Sequence, residues 1–178
     1  PDIVMVGEIR DSETAKIAVE AALTGHLVLS TLHTNDAPGA LPRLIDMGVE
    51  PFLVASSIGG VLAQRLVRRI CSACKVEYEA SEALLKTMEM EGEKVKLYKG
   101  EGCRACSNTG YKGRAGIYEI LTMNEEIRAL VTANASADEI RRAGIKAGMK
   151  TLRQDGIRKA LEGITTIEEV MRVTAAID

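Results

Sequence analysis

Four cysteines constrain this chain more than any other feature. They fall as "CSAC" at 71–74 and "CRAC" at 103–106, two CxxC pairs separated by residues 75–102. A CxxC turn aims two thiolates at one point. Two such turns complete a closed tetrahedral shell, the arrangement that suits structural zinc. Cys71, Cys74, Cys103 and Cys106 are therefore the expected Zn²⁺ ligands. Gly102, Gly110 and Gly113 permit the tight turns around the second pair. A thioredoxin-like redox site would need one CxxC at a helix start, not two matched pairs. No secretory signal is recognised, so a reducing cytosol is expected and disulfides are not. Four sulfur ligands leave no open position, which argues against a catalytic zinc.

The N-terminal third has a different character. "IVMVGEI" at 3–9 is a continuous apolar run ended by charge, the pattern of a strand buried on both faces. "RDSETAKIAVEAALTG" then predicts a helix capped by Asp11 or Ser12 and stopped at Gly25, with Ile17, Ala18, Ala21 and Ala22 on one face. "HLVLSTLH" predicts a second strand. Strand, helix, strand with short connections is a βαβ unit with parallel strands. Residues 35–64 read as two helices. Asp36 is a candidate cap for the first, whose start Pro42 delays to about Leu41. "FLVASSIGGVLAQRL" reads as the second, weakened by Gly59 and Gly60. Beyond Cys71 the expected elements are a helix in "SEALLKTMEMEGE", a strand at "AGIYEIL" and three closing helices. Asn124 caps the first, and "SADE" and "TIEE" supply capping boxes.

The chain contains two histidines, His26 and His33, one at each end of "HLVLSTLH". An odd separation along a strand puts them on opposite faces, roughly 23 Å apart at ~3.3 Å per residue. They are not expected to share an ion or act on one bond. Parallel α/β sheets bind ligands at the carboxyl ends of their strands. Glu8 ends the first strand and His33 the second, so both can face one crevice, lined also by Thr34 and Asn35. "IVMVGE" has the form of a Walker B segment, whose acid sits beside Mg²⁺ and the attacking water of a nucleoside triphosphate. The same pattern also fits a solvated turn with Glu8 and Arg10 as surface charges, and both readings stand on pattern alone. His26 reads as a hydrogen-bonded residue at a strand end.

Composition excludes some classes. The formal net charge is −2, with no basic excess for nucleic acid, and there is one Phe and no Trp to stack on bases. No apolar run reaches the ~20 residues of a membrane span. The opening "PDIVMVGEIRD" lacks an initiator Met and enters a strand at once, as expected of the C-terminal part of a longer protein.

Together these stretches resemble the secretion ATPase superfamily, in its type II secretion and type IV pilus assembly branch. "DIVMVGEIRDSETA" is similar to its Walker B segment, and "TGHLVLSTLHTN" to its histidine box. "LAQRLVRRIC", the two CxxC pairs and "GYKGRAGIYEIL" are similar to its tetracysteine zinc segment, and "EGITTIEEVMRVT" to its C-terminal ending. The resemblance implies an α/β fold: part of a P-loop (RecA-like) NTPase core with parallel strands, a tetracysteine zinc-binding insertion and a small C-terminal helical region. The expected divisions are a half core over 1–70, a zinc subdomain over 71–121 and a helical subdomain over 122–178.

The resemblance further implies a homohexameric ATPase, cytoplasmic and peripheral to the inner face of the bacterial cytoplasmic membrane. It would work on an inner-membrane platform and other secretion or pilus components, with ATP and Mg²⁺ as cofactors. Glu8 would serve as general base or orient the attacking water, with Gly7 in place of the acid usual before it. His33 would sense the γ-phosphate, and His26 would support the strand. His26, Arg10 and Arg65 are further candidate nucleotide contacts, with Arg65 also a candidate subunit contact. Related retraction ATPases lack the four cysteines, so these point to secretion or assembly. "GVEPFLVASSIGGVLAQRLVRRIC" is more similar to the type II secretion members than to the pilus assembly members. Pro42 departs from the usual residue in the helix after the histidine box. No GxxxxGK[ST] occurs, and the family's Asp box and N-terminal domain are missing, so these residues are expected to hold half an active site. A reading from another class is a zinc-stabilised, non-enzymatic module that docks an inner-membrane platform protein.

Overall fold

The computed structural model describes residues 1–175, so the end of the expected helical segment lies outside the described residues. The described chain forms two compact units. The first comprises residues 1–63 and 119–150, the second residues 64–118 and 151 onward. These units cut across the linear segments 1–70, 71–121 and 122–178, because β3 (Gly60–Ile70) and β6 (Tyr111–Thr122) each have residues in both.

In the first unit, β1 (Ile3–Met5) and β2 (Leu27–Leu29) pair in parallel, with Ile3 opposite Leu27 and Met5 opposite Leu29. Helix α1 (Ser12–Leu23) joins them. Asp11 caps it by accepting the Thr14 N–H at 2.9 Å, and Gly25 follows its end at φ 100°. This is the expected βαβ unit. Its burial differs from expectation in two respects. The strands are not covered on both sides: Ile3, Met5, Leu27 and Leu29 are all more than half exposed. A two-stranded pair has one covered face, and here Val28 packs on the core. Helix α1 buries Ala15, Ala18 and Val19, whereas Ile17 is exposed.

Helix α2 (Ala40–Asp46) starts late, as Pro42 predicts. Proline in the first turn lacks only an N–H that would have no helical partner. Helix α3 (Pro51–Ser57) stops before Gly59, and residues 60–70 form β3. The expected helix through Gly60 is thus corrected to a strand. In hindsight, Val61, Ala63, Arg65 and Val67 turn inward while Leu62, Gln64 and Leu66 are exposed, a period of two. Helices α5 (Glu125–Thr132) and α6 (Ala137–Lys146) complete the core through Ile127, Val131, Ile140 and Ala143. Their caps are the expected ones: Asn124 accepts the Ile127 N–H, and Ser136 and Glu139 bond each other's backbone.

In the second unit, β4 (Lys75–Glu79) and β5 (Lys96–Gly100) form an antiparallel ribbon, with α4 (Glu82–Thr87) between them in sequence. Residues 64–70 of β3 and 111–118 of β6 also lie here, β3 and β6 being paired. Two helices close the unit, α7 (Leu152–Leu161) and α8 (Ile167–Thr174), so four helices and not three follow β6 among the described residues. Gly156 obscures α7 in the sequence. A Cβ there would lie 2.5 Å from Val170 Cγ1, so the glycine lets the two helices approach. Leu85, Met88, Leu97, Ala160 and Ile167 form the core.

The "TIEE" box is only half made. Thr166 accepts the Glu169 N–H, but the Glu169 carboxylate turns to β3 instead. It accepts the Arg68 N–H at 2.9 Å, the Arg68 guanidinium at 2.7 Å and that of Arg172 at 2.8 Å. These bonds, Arg172 first, hold the buried Glu169 down to about 2 from 4.5, with burial opposing. A carboxylate with a depressed folded-state pKa stabilises above its unfolded pKa, and that stability is lost as pH falls through the folded value. The thermal midpoint followed by circular dichroism should therefore fall as pH drops from 4.5 to about 2. Glu169→Gln should flatten that slope and cost about 1–3 kcal/mol at neutral pH. An unchanged slope would remove Glu169 from the account.

Candidate functional site

The cysteines converge. Cys71 follows β3, where its N–H bonds the Gly110 carbonyl at 2.9 Å, and Cys74 N–H returns to the Cys71 carbonyl at 3.3 Å. Cys103 precedes a 3₁₀ turn over Arg104–Cys106. The N–H groups of Cys103 and Gly110 donate to the Cys106 sulfur at 3.2 and 3.3 Å. Sulfur separations are 3.9 Å for Cys71–Cys103, 3.9 Å for Cys74–Cys106 and 3.8 Å for Cys103–Cys106, and all four sulfurs lie within 4.8 Å of one another. Four Zn–S bonds of ~2.3 Å in a tetrahedron would hold sulfurs ~3.8 Å apart. The donor set and its spacing thus fit one tetrahedral ion, and none of the four is in a disulfide. Burial pushes the Cys74 thiol up to about 12. At Cys106 burial opposes ionisation, but the N–H bonds from Cys103 and Gly110 bring the thiol down to about 6.

The knuckles are tied to β5 by close backbone contact. A Cβ on Gly100 would lie 2.1 Å from the Gly110 carbonyl oxygen, and one on Gly110, at φ 77°, 2.5 Å from that of Gly100. Gly100→Ala is expected to cost about 1–3 kcal/mol by overpacking and to weaken metal retention. Metal content after dialysis against a chelator checks it.

The second cluster lies at the carboxyl end of the parallel pair. The strands end at Met5 and Leu29, shorter than the expected runs, so both histidines lie outside β2. Backbone bonding continues past them: Val6 N–H to the Leu29 carbonyl at 2.9 Å, and Ile9 N–H to that of Thr31 at 3.0 Å. The Thr31 hydroxyl adds a bond to the Gly7 carbonyl at 2.8 Å. This zipper carries Glu8 and His33 to the same place, where His33 Nε2 meets Glu8 Oε1. The other Glu8 oxygen pairs with Arg10. The bond from Arg10 holds the Glu8 pKa below its usual value; burial opposes this, and the Arg10 and His33 charges add to it. The His33 side chain is 85% exposed.

His26 has other company: its Nδ1 lies 3.1 Å from the Ala21 carbonyl and 3.3 Å from the Thr24 hydroxyl, at the end of α1. Arg65 lies on β3 in the second unit and so outside the unit that contains Glu8. The sequence reading missed two groups that hold the chain just after His33. Glu119 on β6 and Arg141 on α6 reach residues 36 and 37, and no motif marks either one.

A parallel β-pair with an acid and a histidine beyond its carboxyl ends occurs in this chain together with a four-cysteine cluster. Residues 1–172 match the family model described as "Type II/IV secretion system protein", and the chain belongs to that family. It is 58% identical to the type IV pilus assembly ATPase PilB of Thermus thermophilus, over 98% of this chain and 20% of that protein. It is 54% identical to type II secretion system protein E of Pseudomonas aeruginosa, over 98% of this chain and 35% of that one. The chain thus spans about a fifth to a third of the length of these relatives. The α/β fold is similar to that of the ATPase DotB of Legionella pneumophila, with a TM-score of 0.65 at 22% identity, covering 99% of this chain and 39% of that chain.

Proposed function

We propose that these residues are the C-terminal part of a hexameric ATPase that drives type II protein secretion through pseudopilus assembly. The observation that carries the proposal is the Glu8–His33 pair at the end of a parallel strand pair, in a chain of this family. Glu8 and His33 act at the γ-phosphate. Phosphoryl transfer needs positioning and charge stabilisation more than covalent chemistry. Because Arg10 lowers the Glu8 pKa and so weakens it as a base, its role is to accept a hydrogen bond from the attacking water and orient it, more than to take its proton. His33 touches the phosphate, a role that its exposure and its contact with Glu8 support. Arg10 is a nucleotide contact, Arg65 a nucleotide or subunit contact, and His26 supports the strand.

The four cysteines hold one structural Zn²⁺, while ATP and Mg²⁺ bind with the help of a phosphate-binding loop elsewhere in the parent polypeptide. The homohexamer works at the inner face of the bacterial cytoplasmic membrane against a platform protein. Among the described residues no helix is long and apolar enough to cross a membrane. The 58% identity to a pilus assembly ATPase supports a second reading, extension of a type IV pilus.

The test is the parent protein. Its reading frame should show GxxxxGK[ST] on the N-terminal side of Pro1, and the purified full-length protein should hydrolyse ATP. Residues 1–178 alone should hydrolyse it at background rate. Robust turnover by this fragment, or none by the full-length protein, would overturn the proposal. Deletion of the gene should block secretion of exported proteins; loss of pili with secretion intact would favour the second reading.

A further inference from the structure

We infer that Glu119 and Arg141 are positioning residues for His33, fixing the loop that carries it from two distant elements; this rests on the ATPase reading above. The His33 side chain is 85% exposed, and Glu8 is the partner the structure gives it. Its place therefore depends on its backbone. Residues 30–34 belong to no helix or strand, and α2 begins only at Ala40. Two carboxylates hold the stretch between.

Glu119, 2% exposed on β6, accepts the Ala37 N–H at 2.8 Å. Asp36, 4% exposed, accepts the Gly39 N–H at 2.9 Å through one oxygen and pairs with the Arg141 guanidinium of α6 through the other. The Thr34 hydroxyl donates to the Asp36 carbonyl at 2.9 Å, which ties the residue after His33 into the same knot. A Cβ at Gly39 would lie 2.7 Å from Asp36 Oδ1, so the glycine leaves room for that carboxylate.

Burying two carboxylates and half-burying a guanidinium is costly unless each is bonded. Apolar side chains would fill the space as well for stability alone. What they would not do is fix residues 36 and 37 at defined points three and four positions beyond His33. A hydrogen-bonded anchor constrains direction as well as distance, and misplacing a catalytic group by about 1 Å can cost up to ~10²-fold in rate.

The experiment is a double-mutant cycle in the full-length protein, read as single-turnover ATP hydrolysis so that slow variants remain measurable. Arg141→Met removes the guanidinium while keeping the stem. Alone it should lower the single-turnover rate constant about tenfold, with the ATP affinity changed less than about twofold. In a His33→Ala background the same substitution should change the rate less than about twofold, because the group it positions is gone. Glu119→Met should behave alike. Glu119→Gln, whose side-chain oxygen can still accept the Ala37 N–H, should recover most of the rate.

Equal losses with and without His33 would mean that these residues stabilise the fold without acting through His33, and would overturn the inference. So would the wild-type rate constant in both Met variants, or failure of both to give a cooperative thermal transition. Absence of ATP hydrolysis by the unmutated full-length protein would instead remove the ATPase reading itself.

Discussion

Purified from cells grown with zinc, the protein should carry about one zinc ion per chain, and Cys103→Ser should carry none. The effect should be large because each sulfur is one corner of a single closed four-ligand shell. Cys71, Cys74, Cys103 and Cys106 approach at tetrahedral spacing with no disulfide among them, and structural zinc contributes on the order of 10 kcal/mol in small zinc modules. The loss should be local. Leu85, Met88 and Leu97 pack with Ala160 and Ile167 in an apolar cluster that includes none of the four cysteines. Hydrogen exchange after chelation should rise at 71–74 and 100–111, while the Leu97 amide stays protected. Stoichiometric zinc in Cys103→Ser, or none in the wild type, would end the zinc reading.

Glu8→Gln in the full-length protein should cut ATP turnover by about 10²–10³-fold while nucleotide binding persists, since the substitution removes charge at the reacting water and little contact surface. His33→Ala should lose about 10–10²-fold. His26→Ala should act mildly and through stability, because its ring caps the end of α1 at Ala21 and Thr24 and lies away from Glu8. Nucleotide affinity and turnover measured separately decide this. If His26→Ala proved the more damaging to kcat, the assignment of the catalytic edge to the carboxyl ends of β1 and β2 would be wrong.

The parts of the fold legible in the sequence are those governed by short-range rules. The CxxC spacing announced the metal cluster, "IVMVGE" and "HLVLS" announced parallel strands, and Asp11, Asn124 and Ser136 announced helix starts. Errors arose where two local signals competed. "GGVLAQRL" offered helix formers after a glycine pair, and pairing with β6 decided for strand. Gly156 argued against α7, yet packing against Val170 requires it.

The available chemistry can be read from the chain without its fold: four sulfur ligands, one acid after an apolar run, two histidines that do not share a partner. Their spacing along the backbone is enough, because strand and turn geometry act over a few residues. What stands behind His33 could come only from folding. Glu119 is 82 residues from Ala37, and Arg141 is 105 from Asp36. No local propensity links residues so far apart, and a buried hydrogen bond leaves no periodic mark in a sequence. Which carboxylates become anchors depends on which backbone groups the packed elements leave without partners, and that is settled only when the chain has folded.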